Sequence, residues 1–144
     1  MTADALDRFV EAQAQVYDAA LAELRRGAKR GHWIWFVFPQ IAGLGMSATS
    51  RTYAIRSLAE AQAYLAHPLL GARLRECTGA VLSHHGRSAA AMLGGIDATK
   101  LRSSMTLFEF AAGGDGELFG QCLDSFFDGS RDEATLRLLG QAEA

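Results

Sequence analysis

The sequence predicts an all-α fold, a single compact domain of about six helices over residues 1–144, and three observations carry that expectation. Apolar residues recur at three- and four-residue spacing, the signature of one buried helix face. Ser, Asp and Gly stand where such stretches should start and stop. The composition, 49% hydrophobic and 21% charged in 144 residues, is that of a chain able to bury one core.

The first helix is the clearest. Leu6, Phe9, Val10, Tyr17, Ala20, Leu21 and Leu24 form a stripe from about Asp4 to Arg26, and Gly27 follows as a terminator. Gln13 falls inside this stripe and must find partners, because an unpaired buried amide costs roughly 1–3 kcal/mol. The run Trp33-Ile-Trp-Phe-Val-Phe38 fits either a buried strand or a short helix. A strand would have no partner in an otherwise helical chain, so a short helix is expected, ended by Pro39.

Ile41 to Ser50, with Gly43, Gly45, Ser47, Thr49 and Ser50, has a loop composition, followed by a helical turn around Thr52 to Arg56. Ser57 and Glu60 form a capping box that opens a helix toward Ala66. His67-Pro68 breaks that helix and starts the next, with Pro68 in its first position and Leu69, Leu70, Leu74, Cys77, Val81 and Leu82 on its buried side. A short turn over Ser88 to Leu93 leads to Gly94-Gly95. Asp97 is expected to cap a helix over Ala98 to Ala112, which Gly113-Gly114 ends. Glu117 to Phe127, stopped by Gly129, and a last helix capped by Asp132 complete the chain.

The bulk properties narrow the function classes. A net charge of −2 and a pI near 6.1 give no drive toward nucleic acid. The basic cluster Arg25, Arg26, Lys29 and Arg30 sits at a helix end, where cations complement the dipole. Trp33 to Phe38 is too short to span a bilayer, and the acidic start is unlike a signal peptide, so a cytoplasmic protein is expected. Cys77 and Cys122, far apart and without paired spacing, read as reduced, packed thiols.

Taken together, Arg8-Phe9-Val10 with Gln13, His32-Trp33-Ile34-Trp35-Phe36-Val37-Phe38-Pro39-Gln40, Gly43-Leu44-Gly45 with Ser47, Tyr53-Ala54-Ile55, Glu60-Ala61, Tyr64-Leu65, His67-Pro68, Arg73-Leu74, Asp97, Lys100-Leu101 and Ser103-Ser104-Met105-Thr106-Leu107-Phe108 resemble the bacterial family catalogued as domain of unknown function 1810. The resemblance covers nearly the whole chain and rests most on the tryptophan-rich segment. It implies a small, mainly helical bacterial protein and brings no established activity.

The residues themselves suggest where chemistry would lie. At about 100° per residue, Lys100 and Ser104 share a side with Leu101, Met105 and Phe108, and a buried lysine needs a reason. Either Lys100 pairs with Asp97 or Glu60 while Ser104 bonds back to its helix, or the helix floors a polar pocket. In such a pocket His32, Lys100 and Ser104 are the candidate catalytic groups. Trp33, Gln40, Ser47, Ser50, Tyr53, Asp97, Lys100 and Ser104 are the candidate ligand contacts, with Trp33 or Trp35 stacking on a base. Ser47, Thr49 and Ser50 before a helix would favour an anion.

No metal is expected, since His84 and His85 are adjacent and no Cys/His spacing resembles a zinc motif. No cofactor is expected either, because Gly43-Leu-Gly-Met-Ser47 matches no dinucleotide, P-loop or nucleophile-elbow pattern. Two functions stand side by side: a domain binding a small anion or a nucleotide- or ADP-ribose-like ligand, with or without catalysis, and a non-catalytic interaction or homo-oligomerisation domain.

Overall fold

The computed structural model describes residues 2–143, the side chains of 2–4, 115 and 141–143 excepted. Among the described residues the chain is all-α: α1 (Thr2–Arg26), α2 (Ile34–Val37), α3 (Ala48–Thr52), α4 (Leu58–Ala66), α5 (Leu70–Leu82), α6 (Ala89–Leu93), α7 (Gly95–Ala112), α8 (Glu117–Phe127) and α9 (Glu133–Glu143). A single 3-10 turn, Gly113–Asp115, joins α7 to α8. Six of the nine helices are longer than five residues, which are the six the apolar spacing predicts. The corrections fall on the short helices and on the starts of α5 and α7.

The tryptophan-rich segment is a single helical turn, α2, closed by Phe38 N–H donating to Ile34 C=O at 2.9 Å. The loop beyond it is helical earlier than its composition suggests. Ser47 caps α3 by accepting from Ser50 N–H at 3.1 Å, so Thr49 and Ser50 lie inside a helix instead of before one. The segment expected to be helical, Thr52 to Arg56, leaves the helix at Tyr53 and makes a lone parallel bridge between Ile41 and Ile55. Ile55 N–H donates to Gln40 C=O and Ala42 N–H to Ile55 C=O, each at 2.8 Å. Those two bonds close the loop at its base.

Pro68 stands before α5 and not in its first turn; His67 Nδ1 accepts from Leu69 and Leu70 N–H and caps that entry. α7 starts at Gly95, two residues before the expected Asp97 cap, because Gly94 at φ +88° turns the chain in from α6. Asp97 is left in the first turn with its carboxylate free for side-chain partners. At the other end of α8, Asp128 takes the left-handed terminating conformation ahead of Gly129.

α7 is the central element, packed against α4, α6, α8 and α9. Every residue from Ser103 to Phe108 is buried, so this helix is enclosed on all sides at mid-length. α1 packs on α2, α4 and α5, and α5 reaches α8, so one apolar cluster runs from Leu6 to Leu139. Phe9, Trp33, Phe38, Tyr64, Phe108 and Phe119 are its largest members. Gln13 finds partners inside it: its amide N–H groups donate to Phe36 C=O at 2.7 Å and to Tyr64 Oη at 3.0 Å. Among the described residues no helix is long and apolar enough to cross a membrane.

Candidate functional site

The end of α1, the segment before α2 and the first turn of α7 meet around three charges. Lys29 Nζ lies 2.7 Å from one Asp97 oxygen and Lys100 Nζ lies 3.2 Å from the other. Burial alone would raise the Asp97 carboxyl; the two ammonium groups outweigh it and hold the carboxyl below its ordinary range. Two cations thus share the Asp97 carboxylate at the start of a long helix, and Lys29 also acts on the Glu23 carboxylate, so Lys100 is the less neutralised of the two.

The two lysines differ in how much of their capacity is used. Lys29 is sunk against Trp33, 5.0 Å from the ring centroid, donates to Gly31 C=O as well as to Asp97, and is 6% exposed. It is a buried cation with most of its donors engaged. Lys100 sits over Trp35 at 4.7 Å, makes one hydrogen bond, and is 23% exposed. Among the described residues its two remaining N–H groups have no acceptor.

Lys100 stands where two clefts share a wall. The first, of about 350 Å³, is lined by Lys29, His32, Trp35, Asp97, Lys100 and the Gly94-Gly95 turn. The second, of about 400 Å³, is lined by Gln40, Leu44, Gly45, Thr99, Ser103 and Asp132, and shares Ile96 and Lys100 with the first. Both volumes are of small-molecule size. Among the described residues no group of three or more His, Cys, Asp or Glu is placed to hold a metal ion.

The structure brings together His32, Gln40, Asp97 and Lys100 from the sequence candidates and leaves the others elsewhere. His32 is exposed at the mouth of the first cleft. Trp33 is 1% exposed, and its indole N–H donates to Glu23 Oε1 at 2.9 Å, so Trp35 is the tryptophan that faces a cleft. Ser47 and Ser50 are occupied in capping α3, a five-residue helix whose Ser50 N–H is already taken. Tyr53 packs edge-on against Phe36 at 4.7 Å. Ser104 is fully buried in α7, lines neither cleft, and its Oγ has no partner among the described residues.

Sequence reasoning missed three groups. Glu23, on the buried face of α1, accepts from Arg30 N–H, Gly31 N–H and Trp33 Nε1 and so folds the segment that carries Lys29 and His32. Thr99 and Asp132 also line the second cleft: Thr99 stands on the helix expected to floor a pocket but is not singled out there, and Asp132 reads only as a helix cap. A glutamate inside an apolar stripe was the available signal for the first; nothing local marks the other two.

The fold and this double cleft define a small all-α protein with a lysine- and tryptophan-faced site at the entry of its central helix. The chain belongs to the family described as "Protein of unknown function (DUF1810)", matched over residues 3–139. It is similar to the conserved hypothetical protein Rv1873 from Mycobacterium tuberculosis, whose crystal structure superposes with a TM-score of 0.91 at 52% identity, covering 94% of this chain and 96% of that one. No curated protein matches the chain.

Proposed function

We propose that the protein binds a small anionic ligand of nucleotide or ADP-ribose type, in the cleft that Lys100 divides. One observation carries this: Lys100 is a partly shielded cation with unused donors, held over the face of Trp35 by the carboxylate of Asp97. An ammonium beside an aromatic face suits a phosphate attached to a planar base. Asp97 fixes the direction of Lys100, and Lys29 fixes Asp97. The setting we propose is the cytoplasm of a bacterium, in keeping with the source of the similar structure and with two buried free thiols.

Calorimetric titration of the wild type and of Lys100→Met with ADP, ADP-ribose and NAD tests the reading. We expect wild-type binding to at least one, weakened tenfold or more in the variant, as loss of a hydrogen bond to a charged group costs about 1.5–3 kcal/mol. Absence of wild-type binding to all three would sink it. Catalysis, if it accompanies binding, would use His32 and Lys100 as the proton-handling groups on the first cleft. Chromatography of NAD and ADP-ribose after incubation with the protein tests that extension.

A second reading, an interaction or homo-oligomerisation domain, draws on the 78% exposed Met46 and the 77% exposed Ile96. Light scattering across a concentration range separates it. A dimer that dissociates on Ile96→Asp, together with no ligand response, would favour assembly over binding.

A further inference from the structure

The second cleft differs in chemistry from the first. Besides the shared Lys100 it holds one carboxylate, Asp132, one free amide, Gln40, two hydroxyl residues, Thr99 and Ser103, and apolar surface from Leu44, Ile96 and Ala134. Asp132 is held on every side that faces the protein. Its Oδ2 accepts from Thr135 N–H at 3.1 Å and Thr135 Oγ1 at 2.6 Å, with Ser103 Oγ at 3.3 Å, and its own N–H donates to Thr106 Oγ1 at 3.0 Å. Among the described residues Oδ1 has no donor, and neither end of the Gln40 amide has a partner. A carboxylate with one oxygen locked and the other open is a preorganised acceptor.

The chemistry of that acceptor's partner follows from its surroundings. A cation is disfavoured, because Lys100 lines the same cleft and would repel it. A second anion is disfavoured by Asp132 itself. A neutral hydroxyl donor satisfies both, and a pair of adjacent hydroxyls would engage Asp132 and Gln40 while the C–H face of their ring lies on Leu44 and Ile96. We infer that this cleft is a sugar-hydroxyl subsite read by Asp132, which makes the ligand a phosphorylated glycosyl compound whose phosphate reaches Lys100 and whose diol reaches Asp132. The inference rests on the anion-binding reading proposed above and adds which residues read the sugar of the ligand.

Titration of ADP, its 2′,3′-dideoxy analogue and inorganic pyrophosphate into three proteins tests it: wild type, Asp132→Asn and Lys100→Met. Asparagine keeps a side-chain oxygen for the α9 cap but turns the open acceptor into a donor. The wild type should bind ADP at least tenfold more tightly than the dideoxy analogue, about 1.4 kcal/mol. That ratio should fall to near one in Asp132→Asn, while Lys100→Met weakens both nucleotides alike. Equal wild-type affinity for ADP and the dideoxy analogue, or discrimination surviving in Asp132→Asn, overturns the subsite and leaves anion binding standing. Pyrophosphate binding without nucleotide binding has the same meaning. If no probe binds the wild type, both fall together. Should Asp132→Asn not fold, Gln40→Leu replaces it, since the Gln40 side chain holds nothing in place; undiminished discrimination in Gln40→Leu would then count as failure.

Discussion

At the scale of single residues, buried polar groups sort by whether their valences are filled. Glu23 is the fullest case: three N–H donors converge on one oxygen at 2.7–2.9 Å. Burial pushes its carboxyl up, yet these donors and the charge of Lys29 leave it below the ordinary carboxylate range. A depressed folded-state value means the group stabilises the fold above its unfolded value, near 4, and that the contribution is lost as pH falls through the lower folded value. Asp97 acts in the same direction. We therefore expect denaturation midpoints to be flat near neutrality and to drop below about pH 4. Glu23→Gln should cost roughly 1–3 kcal/mol at pH 7 and make that acid limb shallower, measured by urea unfolding at pH 7 and pH 3. Ser104 is the opposite case, a fully buried hydroxyl with no partner among the described residues. Ser104→Ala removes an unsatisfied group, so stability should hold or rise by up to about 1 kcal/mol, and ligand affinity should not change. A large loss of binding in that variant would show that Ser104 reaches the ligand after all.

At the scale of elements, the same capping chemistry has unequal consequences. Ser57 and Ser47 each accept a backbone N–H three residues on, at 3.0 and 3.1 Å. Behind Ser57, α4 buries Glu60, Ala61, Tyr64 and Leu65, and Glu60 binds Arg8 of α1 at 2.9 Å and Arg56 N–H at 2.9 Å. Behind Ser47, α3 buries nothing. Ser57→Ala should lower global stability by about 1 kcal/mol. Ser47→Ala should leave the global midpoint unchanged and speed amide exchange only within α3. Equal effects on global stability would show that α3 is tied to the core more firmly than its burial indicates. This contrast also explains what the sequence made legible. Long helices announce themselves because burial repeats along them, as in α1 and α5. α3 has no apolar period, so only its cap marks it, and the cap lies within a run of Gly and Ser that reads as loop. The site divides in the same way. Lys100 stands out because a lysine sits next to a buried stripe, and Asp97 because it opens a helix. Trp35 could not be told from Trp33 while the direction of a single helical turn was open, and Asp132 is 32 residues from Lys100, joined to it only by how α9 docks on α7.

At the scale of the whole molecule, α7 links the clefts to the core, since its first turns line them and its middle is the most enclosed stretch of the chain. Opening the core should therefore open the site, and a ligand should protect the core. Two internal probes report on this. Cys77 in α5 and Cys122 in α8 are both 0% exposed, lie on helices packed against each other, and have thiols pushed up to about 12, by burial as the largest cause in each. Neither thiolate forms at neutral pH without exposure, so modification must wait for the packed helices to part. With the global stability of about 5–15 kcal/mol usual for such a domain, both thiols should react at least three orders of magnitude more slowly than a free thiol, at matching rates that rise together with urea. A ligand held at about 100 times its Kd should slow both by about a hundredfold, through its preference for the folded state. Mass spectrometry of each cysteine during labelling distinguishes the outcomes. Cys122 reacting ahead of Cys77, without dependence on urea, would mean that α8 opens alone and that the core is not one cooperative unit. Ligand protection of both at equal strength would mean that the site and the core open in the same event.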